Sequence, residues 1–167
     1  MKKSLATLED ALAFELQCLY DGEKRLKDKI KNCIQNLESE TLKAVLDKYA
    51  ESAEHKLLKM DRMFSYLSQE PGSRRNEVMD KLLEESQYRA KCPASGKISN
   101  VLLISAFRHI NQYKISVYKT ALMHALELEL ENVADLLHQI LEWERKTNKA
   151  LTELELKALK SDEAVRS

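Results

Sequence analysis

Chain breakers, cysteines and long apolar runs are all scarce in this chain, and each scarcity removes a class of protein. Three glycines and two prolines occur in 167 residues. Leu, Lys, Glu and Ala are abundant instead, so an all-α protein is expected. Cys18, Cys33 and Cys92 are far apart and lack CxxC spacing, which argues against a zinc site or a disulfide framework and leaves buried free thiols as the expectation. No apolar run approaches the roughly 18 to 20 residues that a membrane span needs. Charge of one sign is also missing: 27 Lys+Arg balance 27 Asp+Glu, so neither nucleic acid nor an anionic membrane is expected as a partner. The opening MKKSLATLEDALAFEL places Glu9, Asp10 and Glu15 inside what would be an apolar signal core. It does not read as a secretion signal, and a cytoplasmic location is expected. Gly-rich phosphate loops, Ser/His/Asp arrangements and Cys/His nucleophile signatures are absent too.

What is present is helical periodicity, in long segments separated by short joints. The length suits one domain with a real core. The first segment runs from about Leu5 to Asn36, with Leu12, Leu16, Leu19, Leu26 and Ile30 on one face. Ser39 is the expected N-cap of the second, which carries Leu42, Leu46, Tyr49, Ala53, Met60, Phe64 and Leu67 inward and stops at Glu70-Pro71-Gly72. A shorter third segment, about Ser73 to Ala90, turns Val78, Leu82 and Leu83 inward and ends before the loop Lys91 to Gly96. The fourth, about Ser99 to Glu127, carries Leu103, Phe107, Ile110, Val117, Tyr118 and Ala121. The fifth, about Glu131 to Leu159, carries Leu137, Leu141 and Leu151. Four long helices, one long connection and a short helix within it describe a ferritin-like four-helix bundle.

Polar residues interrupt the apolar stripes at matching levels. Glu23 falls between Leu19 and Leu26, and a buried unpaired charge costs on the order of several kcal/mol or more, or is neutralised by a pKa shift, so a metal or a cationic partner is expected beside it. Tyr49 and Ser52 on the second helix, Asn111 and Lys114 on the fourth, and Glu144 and Asn148 on the fifth fall at the same level. Di-metal carboxylate sites are built at this level from a Glu on each of two helices and a Glu-x-x-His on each of the other two. No inward position carries Glu-x-x-His. Glu51, Glu54 and His55 lie on a flank of the second helix, and Asp135 with His138 lies beside the stripe of the fifth, so a solvated face is preferred for both groups. Lys114 sits where a ligand would have to be. Either it snorkels from the stripe edge to water, or its ammonium replaces the metal by neutralising Glu23, Glu144 or both, with Asn111 and Asn148 adding neutral hydrogen bonds. A second stripe on the first helix, Thr7, Ala11, Phe14, Cys18 and Gly22, is expected to pack on the third segment rather than on another subunit.

At these residues the chain resembles the YciE/YciF family of bacterial stress-associated, ferritin-like proteins. The likeness covers about Leu8 to Leu154. It is carried by Leu16-Gln17-Cys18-Leu19-Tyr20-Asp21-Gly22-Glu23-Lys24-Arg25-Leu26, Met60-Asp61-Arg62-Met63-Phe64, Leu82-Leu83-Glu84-Glu85, Asn111-Gln112-Tyr113-Lys114-Ile115-Ser116-Val117-Tyr118 and Trp143 to Thr152. Set against the family pattern, Asn111, Gln112 and Lys114 stand where Glu, His and Glu are usual. Trp143 and Asn148 stand for Glu and Asp, and Tyr49 and Ser52 for His and Glu. Of the family's acidic positions, Glu23 and Glu144 remain.

Together these readings give one expectation: a single ferritin-like bundle over residues 1–160 with a frayed tail at 161–167. The resemblance implies a cytosolic setting and a homodimer. The expected role is non-enzymatic, structural or protein-interacting in a stress response, with no catalytic residue, no cofactor and no named protein partner. Its core polar network would be Glu23, Tyr49, Asn111, Lys114, Glu144 and Asn148. The alternative is an iron or manganese pair with oxidase, peroxidase or iron-binding activity, held by Glu23 and Glu144 with help from Tyr49, His55 or Glu51.

Overall fold

Four of the five helices among the described residues begin where a side chain occupies free backbone N–H groups. In the computed structural model, which describes residues 4–160, α1 spans Leu8–Ile34 behind a capping box. Thr7 Oγ1 accepts from the Asp10 N–H at 3.1 Å, and the Asp10 carboxylate accepts from the Thr7 N–H at 3.2 Å. Ser39 caps α2, Glu40–Tyr66; Asn76 caps α3, Glu77–Lys91; Ser95 caps α4, Gly96–Glu127. The last helix, α5, is Glu131–Lys160. The expected frayed tail, 161–167, lies outside the described residues.

The core falls into two apolar clusters, and their membership fixes the helix directions. One holds Leu12 to Leu19 of α1, Met60 to Phe64 of α2, Ile115 to Ala125 of α4 and Val133 to Leu141 of α5. The other holds Leu26 to Ile34 of α1, Leu42 to Ala50 of α2, Leu103 to Ile110 of α4 and Leu151 of α5. Thus α1 and α5 run one way, α2 and α4 the other. With packing of α1 on α2, α2 on α5, α5 on α4 and α4 on α1, this is the ferritin-like bundle, in which a crossover must return the chain along the bundle between α2 and α4. Residues 67–95 make that return, and α3 supplies roughly 22 Å of it at 1.5 Å per residue.

Two local expectations need correction. α2 ends at Tyr66, before Pro71-Gly72, because Ser68 adopts φ 50° and the Gln69 N–H donates to the Phe64 carbonyl at 3.0 Å, closing the last turn without a glycine. α3 starts at Glu77 rather than Ser73, and its buried residues are Met79, Leu83 and Ser86, while Val78 is 53% exposed. The rotation is set by α1. The Asn76 N–H donates to Asp21 Oδ2 at 2.7 Å, and its side-chain amide donates to the Cys18 carbonyl at 2.9 Å. Gly22 permits this approach, since a Cβ there would lie 3.1 Å from Asn76 Nδ2 and 3.4 Å from Met79 Cε. The second stripe of α1 therefore meets the crossover: the Arg74 guanidinium lies 3.7 Å from the Phe14 ring centre, and Arg74 Nε donates to Cys18 Sγ at 3.0 Å.

Candidate functional site: a buried ionic centre

Between the two apolar clusters lies one polar layer, built where each long helix places a hydrophilic residue in its inward stripe. Glu23, Lys56, Asn111, Lys114 and Glu144 are all 0% exposed, and Tyr49 is 1% exposed. Lys114 is the hub. Its Nζ donates to Glu23 Oε1 at 2.7 Å, to Glu144 Oε1 at 2.8 Å and to the Tyr49 hydroxyl at 3.3 Å. All three ammonium protons are thereby used. Lys56 Nζ donates to the same Oε1 of Glu144. Asn111 Nδ2 donates to Glu144 Oε2 at 2.7 Å and to the Glu144 carbonyl at 3.1 Å, tying α4 to α5. The Tyr118 hydroxyl donates to Glu23 Oε1 at 2.7 Å. Tyr49 belongs to one cluster and Tyr118 to the other, so their rings roof the layer from both sides. The Lys114 and Lys56 ammoniums lie 4.6 and 5.2 Å from the centre of the Tyr49 ring, within cation–π range.

Two cations and two carboxylates cancel, and that balance makes the burial tolerable. Breaking a buried ion set from one side leaves an uncompensated charge, while the complete set roughly breaks even against apolar packing. The titration shifts reflect position within the layer. Burial pushes the Glu144 carboxyl upward, but the Lys114 and Lys56 ammoniums outweigh burial and hold it below the usual carboxylate value. Burial pulls Lys114 down, yet Glu144 and Glu23 on either side raise it well above an ordinary lysine. Lys56 is lowered: burial dominates, Glu144 opposes it, and the neighbouring Lys114 charge repels. The two lysines thus differ because one lies between two carboxylates and the other faces a single shared oxygen. Burial, reinforced by the carboxylates, raises both Tyr49 and Tyr118, which remain neutral hydroxyls.

The layer brings together five of the six residues expected in it: Glu23, Tyr49, Asn111, Lys114 and Glu144. Asn148 does not join. It is half-buried on the outside of α5, where its Oδ1 accepts from Gln112 Nε2 at 2.8 Å. Thr147 and Asn148 straddle the line from Glu144 to Leu151, one facing α2 and the other α4, so neither reaches the axis. Ser52 also stays out, its hydroxyl donating to the Tyr49 carbonyl at 2.8 Å. Glu51, Glu54 and His55 are exposed, as are Asp135 and His138. Glu54 pairs with Lys27, and His55 stands edge-on to Trp143 with ring centres 6.3 Å apart. Among the described residues, no group of three His, Cys, Asp or Glu side chains gathers as a metal-binding set.

Lys56 was not anticipated, although the sequence carries its signal. The inward stripe of α2 jumps seven positions from Ala53 to Met60, and the vacant slot, three after Ala53 and four before Met60, is Lys56. The hydroxyl of Tyr118 was missed for a different reason. Its ring suits the stripe so well that nothing in the spacing distinguishes a hydrogen-bonding tyrosine from a packing one.

Fold and centre together define a class: a ferritin-like helical bundle with a buried, charge-balanced layer of lysines and glutamates. Residues 7–164 match the family described as a domain of unknown function, DUF892, and the chain belongs to that family. It is similar to Protein YciF of Escherichia coli strain K12, with 25% identity over 152 residues that cover 90% of this chain and 92% of that protein. The crystal structure of the E. coli stress protein YciF superposes with a TM-score of 0.89 at 24% identity, over 96% of this chain and 99% of that one. YcfI from Rhodopseudomonas palustris superposes with a TM-score of 0.86 at 22% identity, over 91% and 97%. The structural likenesses speak to the fold. No helix among the described residues is long and apolar enough to cross a membrane.

Proposed function

We propose that this protein is a non-catalytic member of its family, a structural or protein-interacting bundle in the stress response, whose Lys114-centred network takes the position of a metal pair. The observation that carries this reading is the Lys114 ammonium, within hydrogen-bonding distance of both Glu23 and Glu144. A cation fixed between the two carboxylates that a metal pair would need competes for the same oxygens and repels the metal. Lys56 reinforces the repulsion from α2. The donor set therefore does not fit a di-metal centre. The layer also offers no reactive group: the hydroxyls are held neutral, each ammonium is engaged, and every member is sealed from solvent. The E. coli relative is named a stress protein, which supports the setting, and the family likeness supports a homodimer in the cytosol.

Metal analysis tests the proposal. Protein purified without chelator, then incubated anaerobically with Fe(II) or Mn(II) and desalted, is expected to carry no more metal than a blank. Roughly two ions per chain, the stoichiometry of the intact centre, would overturn it. Analytical ultracentrifugation is expected to give the mass of a dimer.

A further inference from the structure

A cleft of about 330 Å³ opens between α2 and α5, on the outer side of the Tyr49 ring. Its walls are mostly apolar: Val45 from α2, Trp143 and Ala150 from α5. Lys48 stands at the rim from α2 and Lys146 from α5, both exposed, and no acidic residue lines the space. More basic groups crowd the same indole. His55 stands edge-on to it, and Lys59 Nζ lies 5.1 Å from the Trp143 ring centre. Lys146 meets Glu142 at 3.2 Å in a pair that is about 70% exposed on both sides and correspondingly weak. A chain with zero net charge thus gathers basic side chains around its single tryptophan, beside an open apolar space.

That combination selects a ligand chemistry. Apolar concavities of about this size with a few directed polar groups are the usual form of a small-molecule site. The basic rim favours an anionic end group and disfavours a cationic one. We propose that the cleft binds a small apolar molecule ending in one carboxylate. The apolar body lies against Trp143, Val45 and Ala150, and the carboxylate is held between Lys48 and Lys146. Such a site stands apart from the proposed structural role of the ionic layer, and either can fail without the other.

Trp143 reports on its own cleft, because it is the only tryptophan in the chain. Decanoate and decyltrimethylammonium, which share an apolar chain but carry opposite charges, are titrated separately into the intact protein while tryptophan emission is followed. Decanoate should give a saturable change below about 1 mM, near 4 kcal/mol of binding, and decyltrimethylammonium none. Lys48→Met combined with Lys146→Met should weaken decanoate at least about tenfold. Both positions are exposed, so folding is not at issue, and an unchanged melting curve verifies this. Ala150→Phe, which fills the cleft, should abolish the response. Three results would overturn the proposal: no saturable change with decanoate, equal responses to both amphiphiles, or a decanoate response indifferent to loss of the two lysines.

Discussion

Replacing Lys114 by methionine keeps an unbranched side chain without the terminal ammonium and removes one charge from the centre. Glu23 and Glu144 are at 0% exposure, and Lys56, paired with Glu144, would be the cation left in the layer among the described residues. One carboxylate is then uncompensated, and breaking a buried ion set from one side costs on the order of 3 to 5 kcal/mol. For a domain of this size each kcal/mol lowers Tm by about 2 to 4 °C, so a fall of roughly 6 to 20 °C is expected. Urea unfolding followed by helical circular dichroism gives the free energy, and a thermal melt gives the Tm. Two companions identify the cause. The deficit should shrink as pH falls through the carboxylate range, because a proton can then neutralise the stranded acid. Lys114→Met with Glu23→Gln should be more stable than Lys114→Met alone, since the Lys56–Glu144 pair is then balanced. A single variant within about 1 kcal/mol of the parent, or additive single effects in the pair, would refute the reasoning.

Other perturbations should follow the same geometry. Lys56→Met should cost less than Lys114→Met, roughly 1 to 3 kcal/mol, because Lys114 still covers both carboxylates; a larger cost in urea unfolding would reverse the ranking of the two lysines. Three groups should make stability depend on pH, two raising it and one lowering it as pH climbs. Glu144 is held below its ordinary value of 4.5, so its contribution is present above that value and is lost as pH falls through the lower folded value. Lys114 is held above 10.5, so its contribution is intact below 10.5 and is lost only as pH rises through the higher folded value. Lys56 is lowered below 10.5, so stability rises as pH climbs from its folded value toward 10.5, and Lys56→Met should abolish that rise in urea midpoints taken across pH. Asn76→Ala should cost about 2 kcal/mol, because it removes the cap of α3 and leaves the Cys18 carbonyl and the Tyr113 hydroxyl without their Asn76 partners. Thermal melts would measure this, and a change under about 0.5 kcal/mol would show that the crossover is not anchored there.

The fold was legible because the stripes are long and the breakers few. Twenty-seven-residue helices such as α1 and α2 carry many repeats of the pattern, and caps such as Ser39 mark their starts. The crossover was harder. With only 15 residues in α3, the register of Val78 against Met79 is set by bonds from Asn76 to α1, and a distant partner leaves no local trace. In the centre, Glu23 and Glu144 stood out because acids are conspicuous in an apolar stripe. Lys114 stood out for the same reason. Lys56 left only a gap in its stripe, since a lysine on a charged helix is ordinary. Asn148 shows the opposite error: spacing gives an angle about the helix axis, and a residue a few tens of degrees off that line can end at the rim. Charge balance could have found Lys56, because two buried acids call for two cations.

Crystals grown with excess Mn(II) or Fe(II), with anomalous scattering measured at the layer, would test the central claim most directly. The expected result is the Lys114 ammonium between Glu23 and Glu144 with no anomalous peak at the centre. A peak about 2 Å from both carboxylates, with Lys114 displaced, would contradict it.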